Sequence, residues 1–261
     1  MKISIYYKES QLSNLIINKI KSLANQNNFE MDDINPDVVF CVGGDGTFLR
    51  AVQAHFTRLN QITFIGIHSG HLGFFYDFSI DDVEFIFNSL KENDFKVGNY
   101  PLLKGELTYY DEEKKIIHAV NEIRIENPFH TLVSEVLIDN VRFETFHGNG
   151  LLVCSPLGSS AYNKSIGGAL VSSDLDVLQI TEIAPIQNRS SRSIGSSLIL
   201  KGDKKIEFIG EMSNVVVGYD HLTLDVSSVK KIEISLTDKI IKIAHKEGYS
   251  HLIKMRESFT E

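Results

Sequence analysis

The sequence has little of what marks a membrane, secreted or nucleic-acid-binding chain. No apolar run approaches the roughly 20 residues that a membrane-spanning helix requires. The opening stretch, MKISIYYKESQ, turns polar at once and has no apolar core of signal-peptide length, so the expectation is a cytoplasmic protein. Only two cysteines occur, Cys41 and Cys154, each inside an apolar stretch. They form no metal-type spacing and read as buried, reduced thiols. Basic residues are in deficit, 26 against 34 acidic, for a net charge of −8 with His neutral. That balance argues against nucleic acid or an anionic membrane surface as the main partner, because both favour a basic patch. G-x-x-x-x-G-K-[ST] is absent, and so is G-x-G-x-x-G in a Rossmann setting, so neither a P-loop enzyme nor a simple Rossmann dehydrogenase is supported. No internal repeat or low-complexity linker stands out. What remains is an ordinary globular composition, 43% hydrophobic over 261 residues, enough for one large domain or two modest ones.

The pattern changes along the chain. In the first third, strand and helix signals alternate. KISIYY (2–7) reads as a strand. Ser10 can cap a helix with Leu12, Leu15, Ile16, Ile20 and Leu23 on its apolar face. NPDVVFCV (35–42) and ITFIGI (62–67) read as buried strands. Phe48, Ala51, Val52 and His55 recur at helical spacing, and Ser79 and Asp82 stand at capping-box spacing before Val83, Ile86, Phe87 and Leu90. Continuous apolar strands between amphipathic helices predict a parallel sheet covered by helices. From about Tyr100 to residue 246 the chain favours short alternating strands, with VLIDNVRF (136–143) as a hairpin turning at Asp139-Asn140. A short helix is predicted around 160–171. The fold class is therefore an α/β domain followed by a mostly β domain.

The first candidate site is GGDGT. Gly43, Gly44 and Gly46 follow a predicted strand and precede a helix, where backbone N–H groups can cradle phosphate. A purely structural tight turn is the competing reading. Asp45 raises the turn above background. A carboxylate beside phosphate would normally repel it, but it makes sense if it takes a proton from an attacking hydroxyl or holds Mg²⁺. HSGHLGFF (68–75) follows another strand at the same sheet edge, so the two loops are expected to share a cleft facing the β domain. His68 and His71 read as lining that cleft and not as metal ligands.

A second cluster lies at CSPLGSSAYNKSIGGAL (154–170). Ser155, Ser159, Ser160 and Ser165 offer hydroxyls and Tyr162 an aromatic face, suited to a nucleoside. Serines capping a short helix would look the same. Asn121-Glu122 interrupts a strand-like run, and an exposed strand face with Glu122 in solvent is the simpler reading in isolation.

Taken together and in order, GGDGTFL, IGIHSGHLGFF, YPLL, NE and SPLGSSAYNKSIGGAL resemble the NAD kinase family, over about Cys41 to Ile194. GGDGT alone is shared with diacylglycerol and sphingosine kinases and, more loosely, phosphofructokinases. The Asn-Glu pair and the SAYNKS segment make the resemblance specific. It implies an α/β N-terminal domain (1–99) joined by a returning C-terminal segment (247–261), and a β-rich domain at 100–246. It implies ATP-dependent phosphorylation of the adenosine-ribose 2′-hydroxyl of NAD, a divalent metal (Mg²⁺), and a homotetramer. Carried over by position, it makes Asp45 the catalytic base and Gly43, Gly44, Gly46 and Thr47 the phosphate turn. Asn121 and Glu122 would contact the dinucleotide, and Ser160, Ala161, Tyr162 and Ser165 would surround adenine and its ribose. Phe74 would line the cleft, Ala184 and Ile186 would flank the nicotinamide end, and His221 would lie near the ligand.

The sequence also departs from the family pattern. Leu157 stands where a hydroxyl is usual. HGNG (147–150) replaces Arg-Gly-Asp-Gly, so Asn149 takes the place of a dinucleotide-contacting aspartate and His147 that of an arginine. Two other readings stay open on the residues alone. One is a lipid or sugar kinase; the other is a non-catalytic dinucleotide sensor.

Overall fold

The computed structural model describes all residues except His71, Leu72, Ser190, 211–214, 226–228 and Glu261. Contacts divide the chain into two units, Met1–Tyr100 with Lys239–Glu261, and Pro101–Asp238.

The first unit begins with β1 (Lys2–Tyr7), α1 (Gln11–Gln26), the short β2 (Glu30–Met31), β3 (Val38–Gly43), α2 (Asp45–Ala54) and β4 (Thr63–His68), followed by α3 (Val83–Glu92). Its strands pair in parallel in the order β2-β1-β3-β4. Every residue of β3 is buried, as a strand covered on both faces must be. Ser10 caps α1, accepting from the Ser13 N–H at 3.0 Å. Packing against the sheet sets the helix rotation, with Ile16, Ile20 and Ala24 in the core. Ser13, Ile16, Ile17, Ile20 and Ala24 turn inward, whereas Leu12 and Leu15, read from spacing as core, are 38% and 55% exposed. At the start of α3 the Ser79/Asp82 capping box is complete, and Val83, Ile86, Phe87 and Leu90 pack into a core with Ile16, Phe40 and Ile65.

β5 (Lys96–Tyr109) runs into the second unit, which continues with β6 (Lys114–Ala119), β7 (Glu122–Glu126), β8 (Leu132–Ile138), β9 (Val141–Gly148) and β10 (Gly150–Cys154). After these come α4 (Tyr162–Ser165), β11 (Val177–Ile183), β12 (Leu198–Lys201), β13 (Ile206–Ile209), β14 (Val216–Tyr219), β15 (Leu222–Asp225) and the long β16 (Val229–His245). One sheet is antiparallel throughout, in the order β12-β11-β10-β7-β14-β15. β8 pairs with β9 and β13, and β13 with the first part of β16. Apolar residues from both sets, including Ile123, Val153, Ile180, Val136, Phe208 and Ile234, form one core. Asp139 and Asn140 turn the β8–β9 hairpin with φ of 50° and 64°, the left-handed pair that such a turn needs. The helix predicted around 160–171 contracts to the four residues of α4 after a 3₁₀ turn at Leu157–Ser160. Gly167, at φ +88°, and Gly168 end it. A Cβ at Gly168 would lie 2.1 Å from the Asn163 side-chain oxygen.

The chain then returns to the first unit. Lys242 and Ile243 at the end of β16 pair in parallel with Thr63 and Phe64 of β4. That pairing is why the return starts at Lys239 in the structure and not at 247. α5 (His251–Phe259) completes the unit. Among the described residues no helix is long and apolar enough to cross a membrane.

Candidate active site

The GGDGT turn joins β3 to α2. The three glycines have different jobs. At Gly43, with φ +156°, a Cβ would lie 2.6 Å from Thr47 Oγ1, so the tight return of the chain excludes a side chain. Gly44 has an extended backbone (φ −136°, ψ 177°) that any residue adopts, and a Cβ there would meet nothing within 4 Å. At Gly46 the nearest atom would be Arg50 at 3.7 Å. Nothing in the unit's own packing requires glycine at either of these two positions. Thr47 is buried, and its hydroxyl accepts from Arg50 at 3.4 Å.

Asp45 is the first residue of α2, and its carboxylate is drawn to the loop after β4. Oδ2 accepts the Phe74 N–H and Oδ1 the Phe75 N–H, both at 3.1 Å. A Cβ on Gly73 would come within 2.5 Å of Oδ1, so this glycine lets the loop close on the carboxylate. The Tyr76 hydroxyl donates to the Gly44 carbonyl at 2.8 Å. The Phe75 ring stacks on Phe48 at 4.4 Å. The two glycine loops expected at one sheet edge therefore meet directly. Phe74 is half-buried, with its ring 5.4 Å from Phe259 and 6.1 Å from His251. His68 ends β4, and its N–H donates to Phe78. His71 lies outside the described residues.

In the second unit Glu122 opens β7, with Asn121 just before it. Neither is solvated: they are 8% and 4% exposed, which removes the exposed-face reading of Glu122. Asp220 fixes them, its carboxylate accepting the N–H groups of Val120 at 2.8 Å and Asn121 at 2.7 Å. On their other side a Cβ at Gly158 would stand 2.0 Å from the Asn121 carbonyl oxygen, so the serine-rich loop packs directly on the pair. Asn121 Oδ1 and Glu122 Oε2 are buried and find no hydrogen-bond partner among the described residues. Burial pushes the Glu122 carboxyl up to about 8, with the neighbouring Asp220 and Glu126 carboxyls adding and Arg124 opposing. Burial likewise raises Asp220 to about 6, against hydrogen bonds from the backbone.

Alternation along NEIRIEN aligns Glu122, Arg124 and Glu126 on one face of β7, while Ile123 and Ile125 enter the core. Arg124 Nε donates to Glu126 at 2.7 Å, and its guanidinium lies 5.3 Å from the centre of the Tyr162 ring. The Tyr162 hydroxyl donates to Glu126 at 2.9 Å. Arg124, Glu126 and Asp220 were not among the residues singled out from the sequence. The period-two charge pattern was the signal for the first two, and nothing local marked Asp220.

The serines divide in role. Ser155 and Ser159 are buried and spent on the backbone, Ser155 donating to Val120 and Ser159 to Pro156, each at 2.7 Å. Ser160 and Ala161 are half-buried and Ser165 is exposed. Asn149 is also exposed, its backbone pairing with Asn127 and Ile183. Ala184 adopts φ +45°, and the Ile186 N–H donates to the His147 carbonyl at 2.7 Å. His221 is exposed in the β14–β15 turn, next to Asp220.

An α/β unit carrying a glycine–aspartate turn, followed by a β unit with a buried polar cluster around Asn121 and Glu122, is the arrangement expected of a nucleotide-dependent kinase. Residues 14–95 match the ATP-NAD kinase N-terminal domain and residues 117–245 the ATP-NAD kinase C-terminal domain. An NAD kinase of Lactococcus lactis subsp. cremoris is 36% identical over 246 residues, covering 94% of this chain and 91% of the relative. NAD kinase 1 of Bacillus anthracis is 35% identical over 261 residues, covering 99% and 98%. Among solved structures, yeast NADH kinase complexed with NADH superposes with a TM-score of 0.86 at 20% identity, covering 99% of this chain and 87% of that one. An NAD kinase from Archaeoglobus fulgidus in complex with ATP gives 0.77 at 21% identity, covering 95% and 94%. The chain belongs to the NAD kinase family.

Proposed function

We propose that the chain transfers the γ-phosphoryl group of ATP to the 2′-hydroxyl of the adenosine ribose of NAD, giving NADP and ADP, with Asp45 taking the hydroxyl proton. Family membership carries the overall reaction. The observation that carries the site is the turn itself. Gly44 and Gly46 are not demanded by the protein's packing, and they flank a carboxylate aimed by two N–H groups of another loop. Gly44 is the N-cap, where glycine is a favoured residue, but Gly46 lies inside the helix, where glycine costs up to about 1 kcal/mol relative to alanine. Close approach of phosphate to the helix N-terminus would account for glycine at 46.

In this reading the 2′-oxygen forms a bond to the γ-phosphorus as the bond from that phosphorus to the bridging oxygen of ADP breaks. The proton passes to Asp45. Positioning and electrostatics supply most of the rate, and the base contributes roughly 10²- to 10⁴-fold. Asn121 Oδ1 and Glu122 Oε2, with no partner among the described residues, would hydrogen-bond hydroxyls of the dinucleotide. Ser160, Ala161, Tyr162 and Ser165 would surround the adenosine, with Phe74, Asn149, Ala184, Ile186 and His221 at its margins. Mg²⁺ would neutralise charge on the transferring phosphates. Among the described residues no group of three or more His, Cys, Asp or Glu side chains is gathered for a metal, so the reading assigns the cation to the nucleotide's phosphates, the usual habit of Mg²⁺. The reading extends to a homotetramer in the cytoplasm. The family resemblance supports the first, and two buried, unpaired cysteines support the second.

The test is a coupled assay with NAD, ATP and Mg²⁺, reading NADP through an NADP-specific dehydrogenase. Steady NADP formation is expected, and Asp45→Asn should lose most turnover while melting cooperatively. Near-normal turnover in that variant would remove Asp45 from the base role. No NADP from folded, NAD-binding protein would overturn the activity.

A further inference from the structure

We infer that Lys254 and Asp77 are positioning residues for the transfer step, acting through the loop that aims Asp45; this rests on the base reading of Asp45 above. Lys254 lies on α5, at the far end of the sequence from Asp45, and is only 4% exposed. A lysine is seldom buried without a specific partner. This ammonium donates two hydrogen bonds to the loop after β4, one to the Tyr76 carbonyl at 2.9 Å and one to the Asp77 carboxylate, and lies 5.9 Å from the centre of the Tyr249 ring. Asp77 is itself nearly buried. Its other oxygen lies 2.5 Å from His245 Nδ1, and His245 Nε2 lies 2.8 Å from the Tyr100 hydroxyl. Burial alone would raise the Asp77 carboxyl, but His245 and Lys254 together hold it below the usual range.

The loop tied down in this way is the one that orients the carboxylate. Its turn closes with the Tyr76 N–H on the Gly73 carbonyl at 3.3 Å, and between those residues lie the Phe74 and Phe75 N–H groups that hold Asp45. Tyr76 also reaches the GGDGT turn, its hydroxyl on the Gly44 carbonyl. The backbone of one residue, Tyr76, is thus anchored by Lys254 while its side chain holds the turn carrying Asp45. Without the ammonium, the Tyr76 carbonyl loses its side-chain donor and Asp77 keeps only His245. The segment carrying the two N–H groups loses both hydrogen bonds from α5 and aims the carboxylate less tightly. Neither Lys254 nor Asp77 is among the residues assigned to the nucleotides, so the effect is expected on turnover more than on binding.

The experiment is a double-mutant cycle on the full chain. Asp45→Asn, Lys254→Met and the combination are compared by steady-state NADP formation, at enzyme concentrations that resolve the residual rate. Lys246→Ala serves as a control, because it removes an exposed ammonium that pairs with Asp82 instead. Lys254→Met should lower kcat about 10- to 100-fold, with KM for NAD and ATP within about twofold of wild type. In the Asp45→Asn background it should cost nothing further, and Lys246→Ala should keep wild-type kcat. If Lys254→Met alone fails to fold, because it leaves Asp77 buried without its cation, Asp77→Asn/Lys254→Met removes both charges and should show the same loss of kcat. Wild-type kcat in a folded Lys254 variant would overturn the inference, as would an equal loss in the two Asp45 backgrounds. Near-normal turnover in Asp45→Asn alone would sink the base reading, and the inference with it, whatever Lys254→Met does.

Discussion

Replacing Gly73 with alanine tests whether the direction of the Asp45 carboxylate matters. The three nearest atoms that a Cβ there would meet all belong to the Asp45 side chain. The new Cβ would lie 2.5 Å from Asp45 Oδ1, 2.9 Å from Cγ and 3.2 Å from Oδ2, where ordinary contact begins at 3.4 Å. The carboxylate must retreat by about 1 Å. Its two hydrogen bonds, both 3.1 Å, do not survive that movement. Asp45 is half-buried, so water replaces part of what is lost. The stability cost should be about 1–2 kcal/mol, below the sum for two buried charge-assisted bonds. For a chain of this size that is a fall of a few degrees in Tm. A reacting group misplaced by about 1 Å costs on the order of 10²-fold in rate. Gly73→Ala should therefore lose about 100-fold in kcat in the coupled assay, with little change in KM for ATP and a Tm still far above the assay temperature. Wild-type kcat with intact folding would refute the reasoning, since it would show that turnover tolerates a displaced carboxylate.

Gly46→Ala should act in the opposite direction on stability. It should raise Tm by the equivalent of about 0.5–1 kcal/mol, as alanine does in a helix, while KM for ATP rises severalfold; a stabilised variant with unchanged KM would return Gly46 to a structural role. The buried carboxyls of the second unit also set the pH dependence of stability. Glu122 holds its proton to about 8 and Asp220 to about 6, whereas both ionise near pH 4 in an unfolded chain. The folded state binds more protons across that window, so their contribution is full below about pH 4 and is lost as pH rises through 6 and then 8. Calorimetry should give a higher Tm at pH 5 than at pH 8, and Glu122→Gln should flatten the upper part of that slope. A wild-type Tm that climbs steadily from pH 5 to 8 would contradict the burial of these groups.

Local patterns carried much of the fold. The Ser79/Asp82 capping box and the Asp139-Asn140 hairpin are short-range chemistry, and both form as the sequence indicates. Leu12 and Leu15 stay exposed because helical spacing alone leaves the rotation open, and it is settled by packing of Ile16, Ile20 and Ala24 against strands from elsewhere in the chain. The helix after the serine-rich loop was read too long because its end depends on Asn163. That buried amide takes the Ser159 and Ala169 carbonyls and leaves no room at Gly168 for a side chain. The site divides in the same way. Gly43–Thr47 could be read from one stretch of chain. The buried state of Glu122 could not, because it depends on Asp220, about a hundred residues away in sequence. The tie from Lys254 to the loop behind Asp45 spans a still longer separation, |i−j| of 178 to Tyr76.

The turn also resolves a conflict in its own composition. An aspartate at the first position of a helix would ordinarily fold back on that helix's free N–H groups, where the dipole favours negative charge. There it would occupy the place a phosphate needs. In this chain the Thr47 and Phe48 N–H groups go to the Gly44 carbonyl, at 2.7 and 3.3 Å, and the Asp45 carboxylate is claimed by Phe74 and Phe75 instead. The first amides of α2 have no carbonyl of their own turn to bond, and glycines at 44 and 46 keep side chains off that surface. Under the proposed reading one helix end would serve two anions, with the carboxylate held to one side by a second loop and a phosphate admitted on the other. Separating them depends on the loop after β4, so a change that loosens this loop should damage turnover before it damages nucleotide affinity. That order of effects distinguishes a carboxylate held for chemistry from one that merely caps a helix.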